Sequence, residues 1–239
     1  MNNRDTVVAV YDTFETADQA IRALVAEGFE RNDIGLAANN VKGSYSNLTT
    51  DGTATDHVTD LNDPSDVSGG EGGSFGAVVG GITGAVVALS AIVIPGVGPI
   101  IAAGPLVALL GGATGAVVGG AAGAVTGGVA ASLIHLGIPE EEAQHYVESV
   151  RRGNAMVTVQ VTNEDDATTA SNVLRRYNPV NVKGMADQWR EKGWSGFDPS
   201  SEPYGEEDLV RERELTGSAR EARENADAIR RFPPVPPLT

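Results

Sequence analysis

The sequence predicts an α+β chain, a ferredoxin-like sandwich built from two β-α-β halves and interrupted by a glycine-zipper helical hairpin. Three observations carry this expectation. Segments starting near Thr6 and Met156 repeat one apolar and capping pattern at an offset of 150 residues. Residues 72–139 contain no Asp, Glu, Lys or Arg. Inside that stretch glycine recurs every fourth residue, at Gly76, Gly80 and Gly84 and again at Gly111, Gly115, Gly119, Gly123 and Gly127.

The first half occupies residues 1–40. Thr6 to Tyr11 (TVVAVY) is β-branched and apolar, as a buried strand requires. Asp12 and Thr13 are helix-capping residue types, and Glu15, three residues after Asp12, completes a capping box. Ala17, Ala20, Ile21, Leu24 and Val25 recur at helical spacing, and Gly28 suits the left-handed position that ends a helix. Asp33 to Ala38 reads as a second strand. Residues 41–73 are rich in Ser, Thr, Asp, Asn and Gly; with so little apolar surface to offset chain entropy they read as a flexible polar linker.

Residues 74–136 form the expected hairpin. One helix runs near 74–94, long enough at 1.5 Å per residue to reach about 30 Å, the thickness of a bilayer core. Pro95, Gly96, Gly98 and Pro99 forbid a continuous helix and mark the turn, and a second helix spans about Pro105 to Leu136. Each glycine costs about 1 kcal/mol against alanine in an exposed helix. Close backbone approach recovers that cost through dispersion and Cα–H···O contacts, so the glycines read as a helix-packing surface. The turn, residues 95–105, has no polar side chain, which is unusual for a translocated loop. A low-complexity Gly/Ala segment without helical register is the plainer alternative.

The second half, residues 137–183, is a helix followed by β-α-β. Pro139 fits a first helical position, and Glu140, Glu141 and Glu142 favour the positive end of the helix dipole. Ala143, Tyr146, Val147 and Val150 make its buried face. Ala155 to Val161 is a strand. Asn163 caps a helix whose apolar face is Ala167, Ala170, Val173, Leu174 and Tyr177, and Pro179 to Lys183 is expected to be the last strand. Val7 matches Val157, Thr13 matches Asn163, and Ala17, Ala20 and Leu24 match Ala167, Ala170 and Leu174, which suggests a duplicated half-domain.

Residues 184–239 read as a largely disordered acidic tail. Trp189, Trp194, Phe197 and Tyr204 punctuate it, either docking onto the protein's own sheet or forming a partner motif or interfacial anchor. Glu206 to Arg231 is charged and weakly helical, and the final Pro-rich residues favour polyproline II.

Composition closes off several functions. The 239 residues are 41% apolar but only 5% aromatic, so the core must be built from Ala, Val and Gly. Without cysteine there are no disulfides, thiolate catalysis or Cys-based metal sites. The net charge of −15 is spread along the chain, leaving no basic face for nucleic acid or for anionic lipid. The N-terminus lacks a signal-peptide pattern, so the chain is expected to begin in the cytosol. His57, His135 and His145 do not make a metal site. Glu141 and His145 share a helix face, but two ligands are too few. No phosphate loop, dinucleotide fingerprint or assembled nucleophile is present, so neither an enzyme nor a cofactor is expected.

The order of features is similar to a known family. TVVAVYDTFETADQAIRALVAEGFERNDIGLAA resembles the N-terminal domain of the heat-induced general stress protein 17M-like family. The run from Ile94 to Gly153 resembles the hydrophobic centre and following helix of many bacterial members. The resemblance covers about residues 5–183 and implies a bacterial stress-associated protein with no established reaction and no catalytic residues to transfer. The leading expectation is therefore a non-enzymatic, stress-related protein of the bacterial inner membrane, with a cytoplasmic α+β domain and a tendency to self-associate. Two alternatives stand beside it: a soluble, cytoplasmic homo-oligomer, a shell or filament, with the hairpin as its core, and a ligand-sensing ferredoxin-like module.

Overall fold

The computed structural model describes residues 4–43, 89–106, 129–220 and 228–234. Six antiparallel strands form one sheet in the order β3-β4-β2-β5-β1-β6. These are β1 (Asp5–Tyr11), β2 (Ile34–Asn39), β3 (Ser90–Ile94), β4 (Gly98–Ala103), β5 (Ala155–Val161) and β6 (Ile229–Phe232). The helices are α1 (Phe14–Ala26), α2 (Val129–His135), α3 (Glu140–Arg151), α4 (Glu164–Arg175), α5 (Val182–Glu191) and α6 (Glu206–Arg220).

The longest ladder pairs β1 with β5 over seven residues, from Asp5 opposite Val161 to Tyr11 opposite Ala155. Val8 faces Thr158 across this ladder. These two positions are themselves equivalent under the 150-residue offset, so a local two-fold axis relates the halves at this pair. The caps obey the same offset: Thr13 accepts from the Thr16 amide at 3.2 Å and Asn163 from the Asp166 amide at 2.8 Å. Thr13 is thus the cap of α1, one residue later than the Asp12–Glu15 box expected from the sequence.

Alternation sorts the strand residues onto two buried faces. Val7, Ala9, Tyr11, Leu36, Val157 and Val159 pack against α1 and α4, through Ala17, Ala20, Leu24, Ala170 and Leu174. Val8, Val10, Ala37, Ile100, Ala102 and Met156 pack on the opposite side, against Leu133 of α2 and Ala143, Tyr146, Val147 and Val150 of α3. Burial on both faces explains why TVVAVY and AMVTVQV are nearly continuous apolar runs. Where a polar group enters, it is usually paired. Tyr11 donates to the Leu174 carbonyl at 2.9 Å and Thr6 to the Leu136 carbonyl at 2.8 Å. Burial pushes the Tyr11 hydroxyl far above its ordinary pKa.

Two expectations give way here. The region read as the end of one helix and the following turn is a β-hairpin instead: β3 and β4 join through Pro95–Val97, and β4 pairs with β2. Short apolar runs such as SAIVI and IIAA fit either element by pattern alone; the open edge of β2 decides in favour of strand. Of the second expected helix, Val129–His135 is helical among the described residues. Gly76, Gly80, Gly84, Gly111, Gly115, Gly119, Gly123 and Gly127 lie outside them, as does nearly all of the expected 41–73 linker.

The strand expected over 179–183 is also replaced. Val180 makes one strand-like bond, its amide to the Val10 carbonyl at 2.7 Å, and Asn181 then caps α5 by accepting from the Gly184 amide at 2.9 Å. The position beside β1 is taken by β6, with Thr6 opposite Phe232 and Ala9 opposite Ile229. The region read as a largely disordered tail therefore supplies two helices and an edge strand.

Gly104 ends β4 at φ +64°, where an added Cβ would lie 2.0 Å from the Ile34 carbonyl oxygen. Gly104→Ala is expected to lower stability by about 2 kcal/mol or more in urea unfolding, because neither backbone has room to shift.

Candidate functional site

Helix α3 is the element around which polar chemistry collects. Its N-terminal half opens onto a cleft and its C-terminal half carries a buried ion cluster. The cluster centres on Glu148, a fully buried carboxylate. Arg152 Nε donates to it at 2.6 Å, and Arg151 Nη1 approaches at 3.4 Å. Arg152 also pairs with Glu212 of α6 at 3.1 Å, and Glu212 accepts from the Trp189 indole N–H of α5 at 3.1 Å. Burial works to lower the Arg152 pKa, but Glu148 and Glu212 overcome it and hold the guanidinium above its ordinary value. The Arg152 guanidinium lies 4.6 Å from the Trp189 ring centroid, and that of Arg151 lies 4.5 Å from Tyr204. A buried charge is costly unless its partners surround it; here the partners come from α5, α6 and the loop between them.

The aromatic positions singled out in the sequence are thus used internally. Trp189 is almost fully buried on α5, and Phe197 packs in the core shared with α3. Trp194 is half-buried, with its ring 5.8 Å from Trp189 and 5.5 Å from His145; its indole N–H meets no acceptor among the described residues. The hairpin turn also meets this segment. A Cβ on Gly96 (φ +75°) would lie 2.8 Å from the Asp198 carbonyl oxygen, and one on Gly98 would lie 2.9 Å from Pro203. Pro99 offers its carbonyl to the Asn40 amide at 2.8 Å. Pro95, Gly96, Gly98 and Pro99 therefore cap a hairpin tip that rests on the 198–203 loop.

The cleft at the other end of α3 has a volume of about 240 Å³. Its walls are Glu141, Glu142, His145 and Tyr146 of α3, Val182, Lys183 and Arg190 of α5, and Ala228 and Arg230 beside β6. Arg190 Nη2 reaches Glu141 and His145 Nε2, each at 2.8 Å. A guanidinium has only protons to give, so the imidazole nitrogen accepts and the ring is neutral. Burial, and then Arg190, lower the His145 pKa. Arg230 pairs with Glu142 at 2.8 Å. The i,i+4 pair Glu141 and His145, legible in the sequence, thus meets over a shared arginine. Lys183, Arg190 and Arg230 were missed, because nothing local marks them as neighbours of α3.

No group of three or more metal-ligating side chains occurs among the described residues, and none of their helices is long and apolar enough to cross a membrane. No family model, curated protein or solved structure matches the chain.

Two outcomes follow from this geometry. Glu148→Ala removes the buried carboxylate shared by Arg151 and Arg152, leaving Arg152 with Glu212 alone, and is expected to cost about 3–5 kcal/mol in urea unfolding followed by tryptophan fluorescence. His145 has a folded pKa below its unfolded value of about 6.5. Its share of stability is complete above that value and lost as pH falls through the folded pKa. His145→Gln should flatten this acid-side slope in thermal unfolding measured from pH 7.5 to 5.

Proposed function

We propose that the chain is a non-enzymatic, stress-type association protein, in which a ferredoxin-like body carries glycine-repeat segments that pack copies of the chain together. The observation carrying this reading is the charge-free 72–139 stretch with its four-residue glycine spacing, set into an otherwise strongly acidic chain. Support for the ferredoxin-like description comes from the order β6-β1-β5-β2 with α1 and α4 on one face, and from the two-fold relation at Val8 and Thr158. The hairpin β3–β4 and helices α2 and α3 are then additions to that body.

For residues 107–128, a length argument weighs against membrane crossing and towards self-association. Leu106 and Ala130 belong to one core cluster, so residues 107–128 leave and rejoin the same body. A segment that does so crosses a bilayer an even number of times, and two crossings take about 40 residues; this segment has 22. The membrane reading survives as shallow attachment, favoured by the absence of any charge between residues 72 and 139.

Light scattering coupled to size exclusion, without detergent, tests the proposal on the full chain. A discrete oligomer is expected, with Gly115, Gly119 and Gly123 changed together to leucine reducing the subunit number. A monomeric wild-type chain that also fails to float with phosphatidylcholine vesicles would refute association in either form.

A further inference from the structure

We infer that the cleft between α3, α5 and β6 is a binding site for a small organic monoanion, a carboxylate carried on a compact apolar body. The inference stands apart from the association reading and does not depend on it. Charge is the first argument. Lys183, Arg190 and Arg230 line the cleft with Glu141 and Glu142, and His145 contributes no charge. Asp187 pairs with Arg190 at 3.1 Å beside the cleft, so the local charges sum to zero and Lys183 is the cation left without a carboxylate partner among the described residues. One such cation suits a monoanion better than a dianion.

Donor capacity is the second argument. In the ion cluster at the other end of α3, Arg152 is shared between two carboxylates. In the cleft, Lys183 is exposed and has no carboxylate within ion-pair distance among the described residues. Arg230 binds Glu142 through Nη2, and its Nη1 and Nε make no bond within the described residues. A carboxylate fits a guanidinium fork and an ammonium group together. The two glutamates are already engaged, each holding its arginine in place before a ligand arrives. That arrangement lowers the ordering cost of binding an anion.

Shape is the third argument. Tyr146 and Val182 are buried core residues that turn part of their surface to the cleft, and Ala228 closes one side. These groups offer an apolar wall beside the cations, the usual division of labour in a small-molecule pocket.

Isothermal titration of the full chain with acetate, hexanoate and benzoate tests the assignment, with inorganic phosphate as the dianionic comparison. Tryptophan fluorescence provides a second readout, since Trp194 packs on the cleft residue His145. Saturable binding of hexanoate or benzoate is expected, tighter than acetate or phosphate. Lys183→Glu should weaken it at least tenfold, whereas Lys183→Arg should keep it within about threefold. Lys183 is a surface position, so unchanged thermal unfolding of both variants would show that the body is intact. Absence of saturable binding by all three carboxylates would overturn the assignment. So would a Lys183→Glu variant that binds as tightly as the parent.

Discussion

The β1–β5 ladder is the constraint on which the molecule depends. It joins residues 5–11 to residues 155–161, two segments far apart along the chain, and both of its strands are interior to the sheet. Each neighbouring strand is added to one side of this pair: β2 to β5, and β6 to β1. Closing so long a loop is entropically unfavourable, but the cost rises only slowly with loop length. The return is burial of both faces of two seven-residue strands. The long stretch between β2 and β5 is bridged by the pairing of those two strands, and β4, α2 and α3 within it add to the same sheet and core.

The second half of the molecule is organised by α3. Its apolar face, Ala143, Tyr146, Val147 and Val150, seals the sheet, and its other faces are used for charge. Glu148 cannot reach water, so the chain that follows must bring cations and hydrogen-bond donors to its surroundings. The connection runs from Glu148 through Arg152 and Glu212 to Trp189, and it binds α6 to α3 and α5 although α6 has no continuous apolar stripe. Leu209, packed near Gly153, is the buried apolar group among the described side chains of α6. Among the described side chains of α6, one leucine and one buried carboxylate hold the helix.

The same segment links three parts of the molecule. The 198–203 loop rests against the hairpin tip at Gly96 and Gly98, Phe197 enters the core, and Trp194 packs between Trp189 and His145. Beyond it, β6 returns to β1 and aligns Arg230 with Glu142, while Arg231 pairs with Asp5. The cleft on α3 exists because α5 and β6 approach the helix from different directions and leave a gap lined by both.

Much of the central architecture is legible in the sequence. Apolar runs at Thr6–Tyr11 and Ala155–Val161, the capping residues Thr13 and Asn163, and the helical spacing of Ala17, Ala20 and Leu24 are local signals, and local signals survive in isolation. The α3 face and the pairing of Glu141 with His145 on one helix surface are legible for the same reason. Tertiary structure alone decided the rest. Whether SAIVI and GPIIAA become strand or helix depends on a free sheet edge at β2, which no neighbouring residue encodes. Whether Val180 or Ile229–Phe232 completes the sheet depends on competition for β1, where Asn181 diverts the nearer segment into a helix. The roles of Trp189, Arg190, Glu212 and Arg230 depend on contacts 23 to 88 residues away. Periodicity reports which face of an element is apolar; it carries no information about which distant element will cover it.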